Sequence, residues 1–211
     1  MKSFRFRLLV VALAALSSAS AFAADPIVYQ SAAFVDYTTS AEPGGYFLDN
    51  TQSIGAAFQI TQATDVTSIG GYFTQYSADS IFGAIVPLAS LASMPSAGID
   101  TNALAHVVFT PTGTDQLVSM SVHLDPGFYG VVFGSGLWGT TGTSALVSGQ
   151  DGANSQLFSG TGTGWNTFAA ADVSIEVDGT VTPVPEPSES ALMVGGLAAL
   201  GLVLRRRGAV R

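Results

Sequence analysis

Hydrophobic and polar residues alternate along much of the middle of the chain. The clearest case is QLVSMSVHL (116–124), which carries Val, Met, Val and Leu at alternate positions. A period of two is typical of a strand with one buried face. The turn sequence DPG (125–127) follows, with Pro to restrict φ and Gly to allow positive φ. We therefore predict that FYGVVFGSG (128–136) is the returning strand.

Other short segments have the same strand character, and Gly, Ser, Thr, Pro and Asp fill the gaps between them. They are 27–35, 53–61, 66–73, 81–88, 105–110 and 172–179. No long amphipathic helix is predicted before residue 188. Short strands at this spacing predict an all-β fold, an antiparallel β-sandwich with the jelly roll as one candidate form. We assign it residues 24–180, roughly 160 residues and enough for one domain. The pattern leaves the strand order open.

The N-terminal segment predicts export. Three basic residues among the first seven precede an uncharged apolar run at 8–16, and small residues continue to Ala23. This is the order found in a secretory signal peptide, here residues 1–23, with Ala21 and Ala23 placed for signal peptidase. The alternative, an N-terminal membrane anchor, is disfavoured because the run is shorter than the roughly 20 residues that a spanning helix needs.

Charge is distributed unevenly along the chain. All seven Lys and Arg lie within residues 1–7 or 205–211, whereas all fifteen Asp and Glu lie between these two segments. A body without Lys or Arg repels nucleic acid, so no nucleic-acid partner is expected, and its plausible charged partners are cations. Schiff-base chemistry and bidentate phosphate binding are excluded from the body for the same reason. With no cysteine, its stability must come from burial rather than disulfides.

The C-terminal segment has three parts. Residues 181–190 form a proline-rich linker, 191–204 are apolar and uncharged, and an arginine cluster follows at Arg205, Arg206 and Arg207. Counted from residue 190, the uncharged run would be a helix of about 22 Å, shorter than a hydrocarbon core of roughly 30 Å. Transient membrane insertion is expected if the arginines snorkel to the cytoplasmic side.

These three parts resemble the PEP-CTERM sorting signal of bacterial exported proteins, here residues 184–207. The motif residues are Val184, Pro185, Glu186, Pro187 and Ser188. The body also resembles recurrent PEP-CTERM ectodomains at 81–88 and 124–142. The resemblance implies recognition by an exosortase-type membrane protease and delivery to the cell envelope, cell surface or extracellular matrix. It further implies a non-enzymatic role associated with exopolysaccharide. Two alternatives remain: a surface hydrolase acting on polysaccharide, and a permanently anchored type I membrane protein.

Chemistry in the body has little support in the sequence. His106 and His123 are candidate metal ligands on strands that could be neighbours, but their spacing matches no ligand motif and solvent-facing histidines are favoured. Calcium is the one cofactor considered, and its candidate ligands are Asp172, Glu176, Asp178 and the turn 151–154. Because no EF-hand spacing is present, these acids are interpreted as solvated turn residues. No nucleophile elbow, phosphate loop, HExxH or motif around a carboxylate pair is found, so no catalytic residue is assigned.

Both tryptophans lie in Gly- and Thr-rich segments. Trp138 is in SGLWGTTG (135–142) and Trp165 in GTGWNTF (162–168). Exposed aromatic rings on sandwich loops can stack on sugars, so both are candidate carbohydrate contacts. The alternative, side chains that anchor their loops to the core, is favoured by the pattern.

Overall fold

The computed structural model describes residues 26–35, 44–96, 98–150, 156–160, 164–168 and 172–182. The predicted signal peptide and the predicted C-terminal hydrophobic helix lie outside the described residues, as does the linker from residue 183 onward.

The described residues form twelve strands and one short helix, α1, at Ile99–Asn102. In chain order the strands are β1 Ile27–Gln30, β2 Gly45–Leu48, β3 Ser53–Ile60, β4 Thr64–Gln75, β5 Ile81–Leu88, β6 Ala105–Phe109, β7 Asp115–Leu124, β8 Gly127–Gly134, β9 Ser144–Val147, β10 Gln156–Gly160, β11 Trp165–Thr167 and β12 Ile175–Val181. All their pairings are antiparallel, which confirms the predicted all-β antiparallel class.

The strands form two six-stranded sheets. The first sheet has the order β1-β12-β4-β9-β2, with β7 also paired to β4. The second sheet has the order β11-β10-β3-β8-β5-β6. The longest strand, β4, organises the first sheet because it pairs with β12 along residues 64–71, with β9 along 73–75 and with β7 along 64–72.

Alternate side chains from both sheets meet in one buried cluster, the main core. Phe73 of β4 packs edge-on against Phe133 of β8, with ring centroids 5.1 Å apart, and against Phe109 of β6 at 5.4 Å. Tyr29 of β1 stacks on Phe58 of β3 at 5.4 Å. These contacts join residues from the two sheets, so the faces that carry them are the inner faces.

The other face of the second sheet is also apolar. Phe82, Val132 and Phe158 lie there in a second buried cluster that includes Ile99 of α1. The ring of Phe158 occupies the space above Gly55, where an added Cβ would be 2.5 Å from the ring. Burial on both faces explains why β5 and β8 are almost continuously apolar instead of alternating.

The eight predicted strand segments all contain strands of the structure, but four short strands were missed: β2, β9, β10 and β11. The prediction that β8 returns beside β7 is wrong. After the DPG turn the chain crosses from the first sheet to the second, where β8 pairs with β3 and β5. Gly127 does not adopt positive φ and begins β8. Strands β7 and β8 instead lie on opposite sides of the main core, and each packs its apolar face against it.

Candidate functional site

The sequence-predicted residues of export and sorting lie outside the described residues. They are Ala21, Ala23, Val184 to Ser188, and Arg205 to Arg207. In the part of the chain that is described, no helix has the length and apolar character needed to cross a bilayer.

The structure does not bring the two histidines together. His106 lies on β6 of the second sheet and His123 on β7 of the first. Each is exposed and alternates with neighbours that pack on the main core, such as Val107 and Val122, so the two imidazoles lie on the outer faces of opposite sheets. They cannot share one metal ion in this arrangement. Among the described residues, no three His, Asp or Glu side chains are grouped as metal ligands.

His123 forms an exposed pair with a carboxylate. Its Nδ1 lies 2.7 Å from Oδ1 of Asp65 on the neighbouring strand β4. This hydrogen bond raises the pKa of His123 and lowers the pKa of Asp65. The contribution of His123 to stability is therefore lost as pH rises through its folded pKa, and that of Asp65 is lost as pH falls through its own. Solvent exposure keeps both contributions small.

Trp138 lies over the outer face of the second sheet. Its indole stacks on the imidazole of His106, with ring centroids 4.3 Å apart and planes 7° apart, and its edge contacts Phe82 at 5.0 Å. The loop achieves this with unusual backbone angles: Trp138 has φ of 49°, and Gly136 and Gly139 on either side have φ of 87° and 79°. One face of the indole is thus covered by His106, and the ring is partly buried.

Trp165 anchors β11 to the same sheet. Its ring packs edge-on against Phe158 at 5.3 Å. The indole nitrogen is buried and finds no hydrogen-bond partner among the described residues. Trp138 and Trp165 therefore both pack on the second buried cluster, which is the anchoring role that the sequence pattern favoured.

A polar groove of about 460 Å³ borders the loop that carries Trp138. Its lining comes from two loops at one end of the molecule: Asp49, Asn50, Gly136, Gly139, Thr140, Thr141, Gly142 and Thr143. Hydrogen bonds from the Thr51 hydroxyl and from the backbone lower the pKa of Asp49, so a negative acceptor lines the groove at neutral pH. Hydroxyl, amide and carboxylate groups of this kind can bind sugar hydroxyls. The sequence pattern gave no indication of the groove because its two walls are about ninety residues apart in the chain.

The outer face of the first sheet carries two adjacent acids, Glu176 and Asp178, which we call the carboxyl pair. They alternate with the core residues Ile175 and Val177 on β12, so both point away from the main core. Asp178 is only 5% exposed. The interpretation as solvated turn residues is therefore wrong for both, because Glu176 is a half-buried residue and Asp178 a buried residue of strand β12.

The side chains of the carboxyl pair accept few hydrogen bonds. Gln30 Nε2 donates to Glu176 Oε2 at 2.8 Å, and Ser68 Oγ donates to Asp178 Oδ2 at 3.2 Å. Asp178 Oδ1 is buried without a partner among the hydrogen bonds of the described residues. Burial, the nearby Asp178 carboxyl group and the charge of Asp115 together raise the pKa of Glu176 to about 7.

The other predicted calcium ligands are not part of this arrangement. Asp172 precedes β12 and accepts a hydrogen bond from the backbone N–H of Gly149 at 2.9 Å. The turn 151–154 lies outside the described residues. The sequence pattern did not predict that β1, β4 and β7 surround Glu176 and Asp178.

Comparison with known proteins does not extend these observations: no protein-family model matches the chain, and no curated protein is significantly similar to it.

Proposed function

We propose that this chain is an exported protein of the cell surface or extracellular matrix, sorted by its C-terminal segment. The observation that carries the proposal is the order VPEPS, apolar run and arginine cluster over residues 184–207, together with the export signal at 1–23. Signal peptidase removes the N-terminal segment. An exosortase-type protease then recognises the C-terminal segment while its short helix is inserted in the inner membrane.

The body between these segments serves as a non-enzymatic β-sandwich ectodomain. Contacts between inner faces, such as Phe73 on Phe133, support the sandwich arrangement. A fold held by burial suits a chain that has no cysteine and must persist outside the cell. We keep the jelly roll as a proposal about the connectivity of the two sheets.

The carboxyl pair does not favour the alternative of a polysaccharide hydrolase. Glycoside hydrolysis uses two carboxyl groups about 5 to 9.5 Å apart, so that a sugar or a water fits between them. Asp178 is only 5% exposed, so a sugar has little access to this carboxyl group.

Exopolysaccharide is the proposed partner of the ectodomain, and the groove beside Trp138 is the proposed contact. Part of its hydroxyl-rich lining belongs to the same loop as the partly exposed Trp138, and polar groups together with an aromatic ring suit a sugar chain. Trp165 is the second candidate contact. An acidic body without Lys or Arg binds such a polymer through these groups or through bridging cations rather than through its own positive charge.

Retention on the producing cell's own exopolysaccharide tests this partner. We expect Trp138→Ala to reduce retention at least about fivefold, the loss of one ring-stacking contact of about 1 kcal/mol or more. Leu117→Ala, which removes a side chain that is 49% exposed on the other sheet, should leave retention unchanged. Because Trp138 also packs on the sheet, Thr141→Ala provides a second variant in the groove, and the unfolding midpoint of each variant is measured alongside.

The outcomes distinguish three explanations. Retention that survives EDTA and falls in Trp138→Ala or Trp165→Ala supports direct sugar binding. Retention that is lost in EDTA alone identifies cation bridging. Retention that is unaffected by chelation and by all these substitutions would reject exopolysaccharide as the partner, and release of sugar from the polymer would favour the hydrolase instead.

A further inference from the structure

The carboxyl pair has no cationic side chain to compensate it. The chain has no Lys or Arg between residues 8 and 204, so no ammonium or guanidinium from the β-sheet body can lie near Glu176 and Asp178. A buried carboxylate normally has an opposite charge or several hydrogen-bond donors. Asp178 has one donor, Ser68, and its other oxygen is buried with none among the described hydrogen bonds.

We propose that Glu176 and Asp178 bind one divalent cation of the calcium class on the outer face of the first sheet. The unpartnered Oδ1 of Asp178 and a carboxylate oxygen of Glu176 are the anionic ligands. The Ser68 hydroxyl and water complete the oxygen shell, because Ca²⁺ accepts neutral oxygens in a flexible geometry. This inference goes beyond the proposed sorting function and does not depend on it.

The side chains around the carboxyl pair favour a bound divalent cation over a bound proton. β1 contributes Gln30 to this face, β4 contributes Ser68, Gly70 and Tyr72, and β7 contributes Asp115. Asp115 also has a raised pKa, because of burial and the charge of Asp178. The same outer face carries Asp65 and His123 farther along β4 and β7, and these two side chains pair with each other. A divalent cation neutralises the pair and lowers the repulsion from Asp115, whereas a single proton leaves one negative charge in place.

Two carboxylates are few for calcium, so the affinity should be low. Extracellular calcium modules work at about 10⁻⁴ to 10⁻³ M, and we expect the carboxyl pair to fall in that range.

Calorimetric titration of the full-length protein with CaCl₂, at fixed ionic strength, tests the site. We expect one calcium ion to bind per chain. Asp178→Asn should weaken binding at least tenfold. Glu176→Gln should also weaken it, because this change removes the second anionic ligand. Asp79→Asn, a matched change at an exposed turn acid, should bind as the parent protein does.

The results can overturn the proposal. Equal weakening in Asp79→Asn and Asp178→Asn would show that calcium only screens the net negative charge, and so would full binding by both Asp178→Asn and Glu176→Gln. If Asp178→Asn does not fold, Ser68→Ala and Glu176→Gln carry the test, with unchanged affinity in both as the contrary result. Proper export and sorting of these variants would leave the proposed function unaffected.

Discussion

Replacing Phe73 by alanine is expected to lower the free energy of unfolding by about 3–5 kcal/mol. The Phe73 side chain is fully buried at 0% exposure, and its ring packs on Phe133 and Phe109 of the second sheet. Removing it leaves a cavity between the sheets and loses the edge-on aromatic contacts that join them. For a chain of this size the unfolding temperature should fall by roughly 6–20 °C.

Thermal and urea unfolding of the full-length protein, with Phe47→Ala as control, measure this effect. Phe47 is 51% exposed on β2, so the same substitution there removes little buried area and should cost about 1 kcal/mol or less. Similar losses at the two positions would contradict a core shared by the two sheets.

Changing Arg205, Arg206 and Arg207 together to serine is expected to abolish sorting. The proposed sorting function requires the arginines to keep the end of the apolar segment on the cytoplasmic side of the inner membrane. Without them no positive charge keeps the C-terminal end in the cytoplasm, and the segment crosses the membrane before the protease can act. We expect unprocessed protein in the medium and little protein on the cell envelope.

Fractionation of envelope and medium, followed by immunoblotting against the ectodomain, measures this shift. Arg211→Ser is the matched control, since it removes one positive charge outside the cluster of three. Unchanged distribution and processing of the triple variant would count strongly against the sorting interpretation.

Strand positions were predictable where one local signal dominated. Alternation in 116–124 located β7, and the near-continuous apolar run 81–88 located β5, whose two faces are both buried. Short strands such as β2 and β9 have only four residues each. Four residues are too few to show a clear alternation of hydrophobic and polar side chains between loops rich in Gly, Ser and Thr.

Strand partners were not predictable in the same way. The DPG turn suggested that β7 and β8 pair with each other, yet they belong to different sheets. A turn sequence specifies only the local backbone, whereas partners are decided by which open edges and apolar faces are available after the whole chain has folded. The pairing of β12 with β4, more than one hundred residues away in the chain, is of this nonlocal kind.

The candidate site was predictable only in part for the same reason. The spacing of Glu176 and Asp178 by two residues places both on one face of a strand, which the sequence alone can indicate. Their burial depends on β1 and β4, which supply Gln30 and Ser68 from distant parts of the chain. The stacking of His106 on Trp138 is equally nonlocal and depends on a positive φ that no sequence pattern specified.

The intact mass of the protein recovered from envelope and medium tests the central claim most directly. Export and sorting predict a mature chain that begins at Ala24 and lacks Arg205, Arg206 and Arg207. An intact C-terminus on envelope-bound protein that begins at Ala24 would favour the permanently anchored alternative. Recovery of only full-length C-termini, in the envelope and in the medium alike, would contradict sorting by this segment.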